Sequence, residues 1–398
     1  MFGKSAQTLR QLYKTLVPPR WRKLTQRIFI IVFLFAVLAV QFLRGPQDLQ
    51  VYFYDVGQGD AIHIRMPDGF DVLIDGGPTS RVAEKLGRTM PFWDKTIELM
   101  ILTHPHADHV TGQIEVLRRF KVAKVLATGV LHTTDEYLTW LEEIKERGVA
   151  MEIARAGQSW VLGHPVASAH AKTAVGCPGE ATTVCARPRS SATADTMPAR
   201  SPQHFCCDPP PQSVLAEDIR LEILWPWEYF EGKRVAEGKI GEGGGLNDTS
   251  IVTKLTYGNT SFLLMGDATS AVEEEELINQ CHSKWSEESR TTQELRDPFD
   301  RLRAGSSSPT AFQDDGRCSL RADVLKVGHH GSKYSTSRKF LQVVKPKYAV
   351  IQVGKNRYGH PAYATLYRLK QAGVEIFRND IDEDVGFESD RKEVRLLR

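Results

Sequence analysis

The chain has 398 residues, 51 of them basic and 49 acidic, for a formal net charge of +2. That balance excludes a general electrostatic pull toward nucleic acid, so any such preference must be local. The length suits one α/β catalytic domain with additions as readily as two ordinary domains, and an apolar fraction of 41% is ample for a large core.

Residues 1–27 carry Lys4, Arg10, Lys14, Arg20, Arg22, Lys23 and Arg27 and no acid. An apolar run from Ile28 to Val40 follows, extended by Phe42 and Leu43 across Gln41 and stopped by Arg44-Gly45-Pro46. At about 13–16 residues it is shorter than the roughly 20 of a comfortable bilayer span and nearer the core of a signal peptide. We expect residues 28–44 to be an uncleaved transmembrane anchor, ahead of a signal peptide, because Ala36-Val37-Leu38-Ala39 lacks the preferred Ala-x-Ala cleavage spacing. The basic flank then puts residues 1–27 in the cytoplasm and the domain from residue 48 onward on the extracytoplasmic side of a bacterial membrane. Cleavage would make the domain secreted.

Val51–Val56 reads as a strand, Gly57-Gln58-Gly59-Asp60 as a turn, Ala61–Met66 as the return strand and Val72–Ile74 as a third, ending at Asp75. His63, between Ile62 and Ile64, reads as a sheet-face histidine outside any site. The apolar run Leu99–Thr103 leads into His104-Pro105-His106-Ala107-Asp108-His109, four potential metal ligands in six residues. In extended backbone, side chains two apart point the same way, so His104 and His106 can share one ion while Asp108 and His109 face a second. Imidazole and carboxylate without cysteine suit zinc first and manganese next, in an open site. Asp108–Phe120 is predicted helical through Val110, Ile114, Leu117 and Phe120, with its first amides toward the cleft. A strand at Val122–Leu126 and a helix at Thr134–Arg147 continue a layered α/β order.

Residues 164–214, rich in Pro, Ala, Ser and Thr, break that order and read as a disordered insertion. They hold Cys177, Cys185, Cys206 and Cys207, without the paired Cys-x-x-Cys units of a zinc site. A second hydrophilic insertion spans 283–319. Strands are predicted at Thr260–Met265, ending at Asp267, at Ala322–Val327, ending at Gly328-His329-His330-Gly331-Ser332, and at Tyr348–Val353, followed by His360.

The histidine motif resembles the signature of the metallo-beta-lactamase fold. Asp55-Val56-Gly57-Gln58-Gly59-Asp60-Ala61, Leu73-Ile74-Asp75-Gly76-Gly77, Leu263-Leu264-Met265-Gly266-Asp267-Ala268, Lys326-Val327-Gly328-His329-His330-Gly331-Ser332 and Tyr358-Gly359-His360-Pro361 resemble the hydrolase domain of ComEC-type DNA-uptake competence proteins. No multi-helix channel region precedes them, so the resemblance is to a freestanding relative. It implies a four-layer αββα metallo-beta-lactamase sandwich over 48–398 with an N-terminal membrane helix, and two divalent ions held by His104, His106, Asp108, His109, Asp267 and His330. Asp267 bridges the ions in that fold, and Asp75 orients the ligand loop from behind. One or two of His329, His330 and His360 reach the second ion or the reacting group; Asp108, His330 and His360 are the candidate catalytic residues. The wider fold normally adds a histidine before the bridging aspartate, but Arg220–Gly266 has none, and Asn247-Asp248-Thr249-Ser250 lies in that stretch. This leaves the first ion's set open and argues against a β-lactamase.

Two such ions lower the pKa of water to roughly 7 and stabilise attacking and leaving oxygens. Asp108 would orient the water and a site histidine protonate the leaving group. Lys326, Lys333, Lys355 and Arg357 around the late histidines favour a phosphodiester, DNA or RNA, over a neutral lactam. The expected activity is a phosphodiesterase or nuclease. An acyl or lactone hydrolase with the same centre, and a noncatalytic nucleic-acid or envelope-binding module, are the alternatives.

Overall fold

Alternation of apolar residues in short strands builds two sheets whose facing sides share one core. The computed structural model describes residues 24, 27–34, 48–162, 219–227, 229–235, 244–279 and 320–397; both insertions, 164–214 and 283–319, lie outside the described residues. The first half runs β1 (Leu49–Phe53), β2 (Ile62–Arg65), β3 (Asp71–Ile74), α1 (Arg81–Thr89), β4 (Thr96–Ile97), β5 (Leu99–Leu102), α2 (Ala107–Arg119), β6 (Lys121–Val122), β7 (Lys124–Ala127), α3 (Asp135–Arg147), β8 (Ala150–Ile153) and β9 (Ser159–Leu162). The second runs β10 (Ile219–Trp225), β11 (Val252–Tyr257), β12 (Thr260–Leu264), β13 (Val324–Lys326), α4 (Arg338–Val344), β14 (Tyr348–Ile351), α5 (Tyr363–Gln371), β15 (Glu375–Arg378), α6 (Asn379–Asp382), β16 (Val385–Ser389) and β17 (Val394–Leu397).

The first sheet has the order β17-β16-β1-β2-β3-β5-β7-β8 and the second β15-β14-β13-β12-β11-β10-β9. Strand period two sends Val51, Phe53, Ile62, Ile64, Leu221, Leu255, Phe262 and Val350 into the space between the sheets. The alternate residues Leu73, Met100 and Val125 pack outward with Leu86, Val110, Leu117 and Trp140 of α1–α3. On the far side Leu263, Leu325 and Ile351 meet Phe340, Leu341 and Leu369 of α4 and α5. Three apolar seams therefore separate four layers: helices, sheet, sheet, helices. Phe387 joins the central seam edge-on to Phe53 at 6.1 Å and to Phe262 at 6.4 Å, each such buried side chain contributing about 1.5–3 kcal/mol.

The predicted helix Thr134–Arg147 corresponds to α3, which stops at Gly148 in the left-handed conformation (φ 62°) with its amide on the carbonyls of Ile144 and Lys145. Residues 27–34 are helical with exposed apolar side chains. Among the described residues no helix is long and apolar enough to cross a membrane, and residues 35–44 lie outside them.

A buried carboxyl joins the second outer layer to its neighbour. Glu273, on the π-helical segment Val272–Ile278, accepts the backbone amides of Thr336 and of Ser337, the N-cap of α4. Burial pushes Glu273 up to about 7, against the pull of those amides. Its proton stabilises the folded chain fully below the ordinary carboxyl range, and that contribution is lost as pH rises to about 7. Thermal melts between pH 4.5 and 7 should therefore show this group's share of stability falling with rising pH, by at most about 1.4 kcal/mol per pH unit. In Glu273→Gln that component of the slope should vanish.

Candidate metal centre

The site forms where β1, β3, β5, β12 and β13 end on one edge of the sandwich. After β5, Thr103 and His104 complete the turn into α2, whose first residues are Ala107, Asp108 and His109. After β3, Asp75 adopts left-handed backbone (φ 58°), as do His329 and His330 after β13 (φ 44° and 50°). A left-handed conformation is uncommon for residues with a Cβ, and here it occurs in three residues at one site.

Close backbone packing holds α2 against the β3 turn. A Cβ on Gly112 would meet the Gly76 carbonyl oxygen at 1.8 Å, and one on Gly76 would meet the Gln113 amide nitrogen at 2.4 Å. The approach brings Asp75 to His109, whose Nδ1 lies 2.8 Å from Asp75 Oδ2. Gly112→Ala should consequently cost about 1–3 kcal/mol by overpacking, read as a lower urea midpoint, and should weaken metal binding by separating that pair.

Each inner imidazole is pinned through Nδ1. His109 donates to Asp75, whose carboxylate also accepts the Thr103 amide at 2.8 Å and hydroxyl at 2.7 Å. His330 Nδ1 donates to the Gln352 carbonyl at 2.9 Å. His104 Nδ1 lies 3.2 Å from both Thr103 Oγ1 and Ser250 Oγ. Because the Thr103 hydroxyl proton is committed to Asp75, its oxygen can only accept from His104, which fixes the Nδ1–H form. Each ring is thereby turned so that its Nε2 side faces inward.

They converge on carboxylates. Asp267 Oδ2 is 3.5 Å from His109 Nε2 and 3.4 Å from His330 Nε2. Asp108 approaches the same two nitrogens at 3.9 Å and 3.3 Å. Asp60 Oδ1 is 3.4 Å from His330 Nδ1. The ligand atoms group as His104–His109–Asp267, Asp108–His109–His330, Asp60–Asp75–His109 and Asp60–Asp267–His330. His109 Nε2, His330 Nε2 and Asp267 Oδ1 are buried without a hydrogen-bond partner. Buried imidazole nitrogens and carboxylate oxygens that point at one another without a hydrogen-bond partner fit a divalent cation that takes the place of the imidazole protons.

His106 stands apart from these groups: its Nδ1 faces His104 Nε2 at 2.9 Å. His360 lies further out, its ring 5.3 Å from that of His329. His329 Nε2 accepts from Asn247 Nδ2 at 3.2 Å, so the Asn247–Ser250 stretch does reach the site, through Asn247 and Ser250. His63 stays outside, on the helix-facing side of the first sheet, between Tyr54 and Asp71.

Three site residues escaped the sequence reading. Asp60 reads as a turn residue; Ser250 carries no signal of its own; His132, whose ring is 6.3 Å from that of His106, stands alone in its loop. Lys326 corrects another expectation. It is not a substrate-facing cation, because its ammonium is fully buried, ion-paired with Asp60 and 2.6 Å from the Gly266 carbonyl. As the last residue of β13 it falls on the strand face between the sheets, beneath the site.

Charge follows geometry. Burial and the charges of His109 and His106 hold His104 well below the usual imidazole range, and burial lowers His106 and His329. Burial and the neighbouring His329 and His330 hold His360 down at about 4. His109 is held well above that range because Asp267, Asp75 and Asp108 outweigh its burial, and His330 is likewise raised to about 10 by Asp267, Asp108 and Asp60. Despite burial, the charges on His330 and His109 keep Asp267 well below the ordinary carboxylate range.

Among known proteins, residues 54–355 match the family model described as the metallo-beta-lactamase superfamily. The chain is 24% identical to ComE operon protein 3 of Bacillus subtilis (strain 168) over 352 residues, which are 83% of this chain and 32% of that protein. It is 39% identical to competence protein ComA of Neisseria gonorrhoeae over 80 residues, 20% of this chain and 12% of that one. It thus spans about a third or less of the curated relatives it matches. Of solved structures it is similar to the metallo-beta-lactamase fold protein YhfI from Bacillus subtilis, with 10% identity, a TM-score of 0.41, and coverage of 86% of this chain and 100% of that one.

Proposed function

Because the chain belongs to the metallo-beta-lactamase superfamily, we propose that it is a metal-dependent phosphodiesterase with nuclease character, working outside a membrane that residues 28–44 anchor it to. The observation that carries the hydrolase reading is the convergence of His104, His109 and His330 with Asp267 in a buried cluster where His109 Nε2, His330 Nε2 and Asp267 Oδ1 lack hydrogen-bond partners. Two divalent ions, zinc or manganese, would be held by these residues with Asp108 and Asp60, and would supply activated water and charge for the attacking and leaving oxygens.

The chain's own groups do the rest. Asp75, Gln352 and the pair Thr103/Ser250 fix the three imidazoles in the form that presents Nε2. Lys326 holds Asp60 and stands 3.8 Å from Asp267 Oδ1, compensating charge from beneath. Asp108 has a side chain 32% exposed, against 1% to 3% for Asp60, Asp75 and Asp267. It is the carboxylate of this set that can orient a water arriving from solvent. His360 lines the rim, and exposed Lys333, Lys355 and Arg357 on the same loops favour an anionic substrate. Similarity to competence proteins supports a nucleic-acid phosphodiester over an acyl or lactone bond.

The test is hydrolysis of bis(p-nitrophenyl) phosphate by the chain loaded separately with zinc and manganese. Turnover that requires metal and falls at least about 100-fold in His104→Ala is expected, on the scale of losing a positioned metal ligand. Two bound ions with no turnover on phosphodiesters, beside turnover on a lactone, would reject the phosphodiesterase reading.

A further inference from the structure

We propose that the end of the domain opposite the metal centre docks on an anionic membrane surface through Phe92 and Trp93. β1 and β5 each run antiparallel or parallel through β2 and β3 so that both point the same way, and both end at the metal centre. Leu49 and Leu99, where they begin, therefore lie on the opposite edge. Phe92 and Trp93 stand in the loop just before β4 and β5, 78% and 45% exposed, their rings edge-on at 4.8 Å. The loop is tied to that edge through Asp94, 3.4 Å from Arg65 Nη2 at the end of β2. Two adjacent exposed aromatic rings on an otherwise polar end mark a contact surface.

Charge and chain length select the occupant. Helices α1, α2 and α3 all finish at this end with basic last turns. Arg118 and Arg147 are paired with Glu143, and Arg119 with Glu115, while Arg88, Lys95, Lys121 and Lys145 are exposed. Lys95 and Lys121 are neighbours, the Lys121 amide donating to the Lys95 carbonyl at 2.8 Å. Of the exposed acids at this end, Asp68 and Glu146 stand against these four cations, while Glu393 in the β16–β17 turn is paired with Arg395, so the excess is positive. The apolar run ends at Leu43, and Arg44–Asp48, fully extended, reach at most about 18 Å. With that run in a bilayer, the face around Leu49 stays within about 18 Å of the hydrocarbon edge, close enough to touch the headgroups. Aromatic rings beside exposed cations suit that region, the rings at the headgroup level and the cations on anionic lipid. The metal centre is then turned away from the membrane. The inference rests on the membrane association of residues 28–44 and is independent of what the centre hydrolyses.

The experiment is amide hydrogen exchange of the full chain in phosphatidylcholine vesicles with and without phosphatidylglycerol, and in detergent. Exchange over residues 88–98 and 118–124 should slow at least threefold on the anionic vesicles relative to detergent, less on neutral ones, with residues 355–363 unchanged. The double variant Phe92→Ser with Trp93→Ser should lose that protection and still cosediment with vesicles. Equal exchange in vesicles and detergent overturns the proposal, as does protection that grows with protein density at fixed lipid, which would mean a second copy covers the patch. A chain that fails to cosediment overturns it together with the anchor, leaving the hydrolase reading untouched.

Discussion

Asp267→Ala is expected to abolish metal-dependent turnover, by about 10³-fold or more, and to destabilise the metal-free chain as well. The carboxylate stands between His109 and His330 with one oxygen and toward Lys326 with the other. Replacing a ligand's orienting partner typically costs 10–100-fold in metal affinity or activity, and loss of a carboxylate shared by two ligand groups should exceed that. Truncation also removes a counter-charge shared by the buried cations His109, His330 and Lys326, a loss on the order of 3–5 kcal/mol. Asp267→Asn separates the two effects, since it keeps the shape and one accepting oxygen while removing the charge. Metal content, urea midpoint and turnover should all fall in the alanine variant; full metal occupancy with unimpaired turnover would remove Asp267 from the centre.

Metal binding should release about two protons per chain at pH 7, and affinity should rise steeply with pH. The carboxylates hold His109 well above its ordinary range and His330 at about 10, so both imidazoles carry a proton at neutral pH in the metal-free chain. Only a neutral imidazole can ligate, so binding must expel those protons. Two protons released correspond to an affinity rising by up to about a hundredfold per pH unit, flattening as pH approaches the imidazole values. Calorimetric titration with zinc in buffers of different ionisation enthalpy gives the count directly. His330→Gln should reduce it by about one. Zero release in the wild-type chain would show that these imidazoles do not lose protons to the metal.

The sequence makes the centre's local half legible. His104-Pro105-His106-Ala107-Asp108-His109 announces itself because its ligands are contiguous, and a strand-to-helix passage is readable from Leu99–Leu102 and the spacing of Val110, Ile114 and Leu117. Asp75, Asp267 and His330 each follow an apolar run, but it is the resemblance to the hydrolase domain of ComEC-type proteins that nominates them. What escapes is pairing across the fold. Asp60 meets Lys326 only when β13 lies beneath the β1–β2 turn, and nothing near either residue in sequence signals it. Lys326 therefore reads as one of several surface cations beside histidines. Ser250 is invisible for the same reason: its role is to meet His104 from another sheet. Helix α1 is too short, with only Val82, Ala83 and Leu86 buried, to show a convincing period.

The pairing of β1 with β16, Leu49 opposite Ser389, has a consequence for how the chain acquires its shape. Among the described residues, a strand at the start of the domain waits for a partner more than 300 residues later, so contact order is high and folding should be slow. Until residues 385–397 arrive, β1 presents an unpaired edge of backbone donors and acceptors, the feature that invites aggregation in incomplete sheets. Truncation ahead of Val385 should therefore yield an insoluble product rather than a smaller working domain.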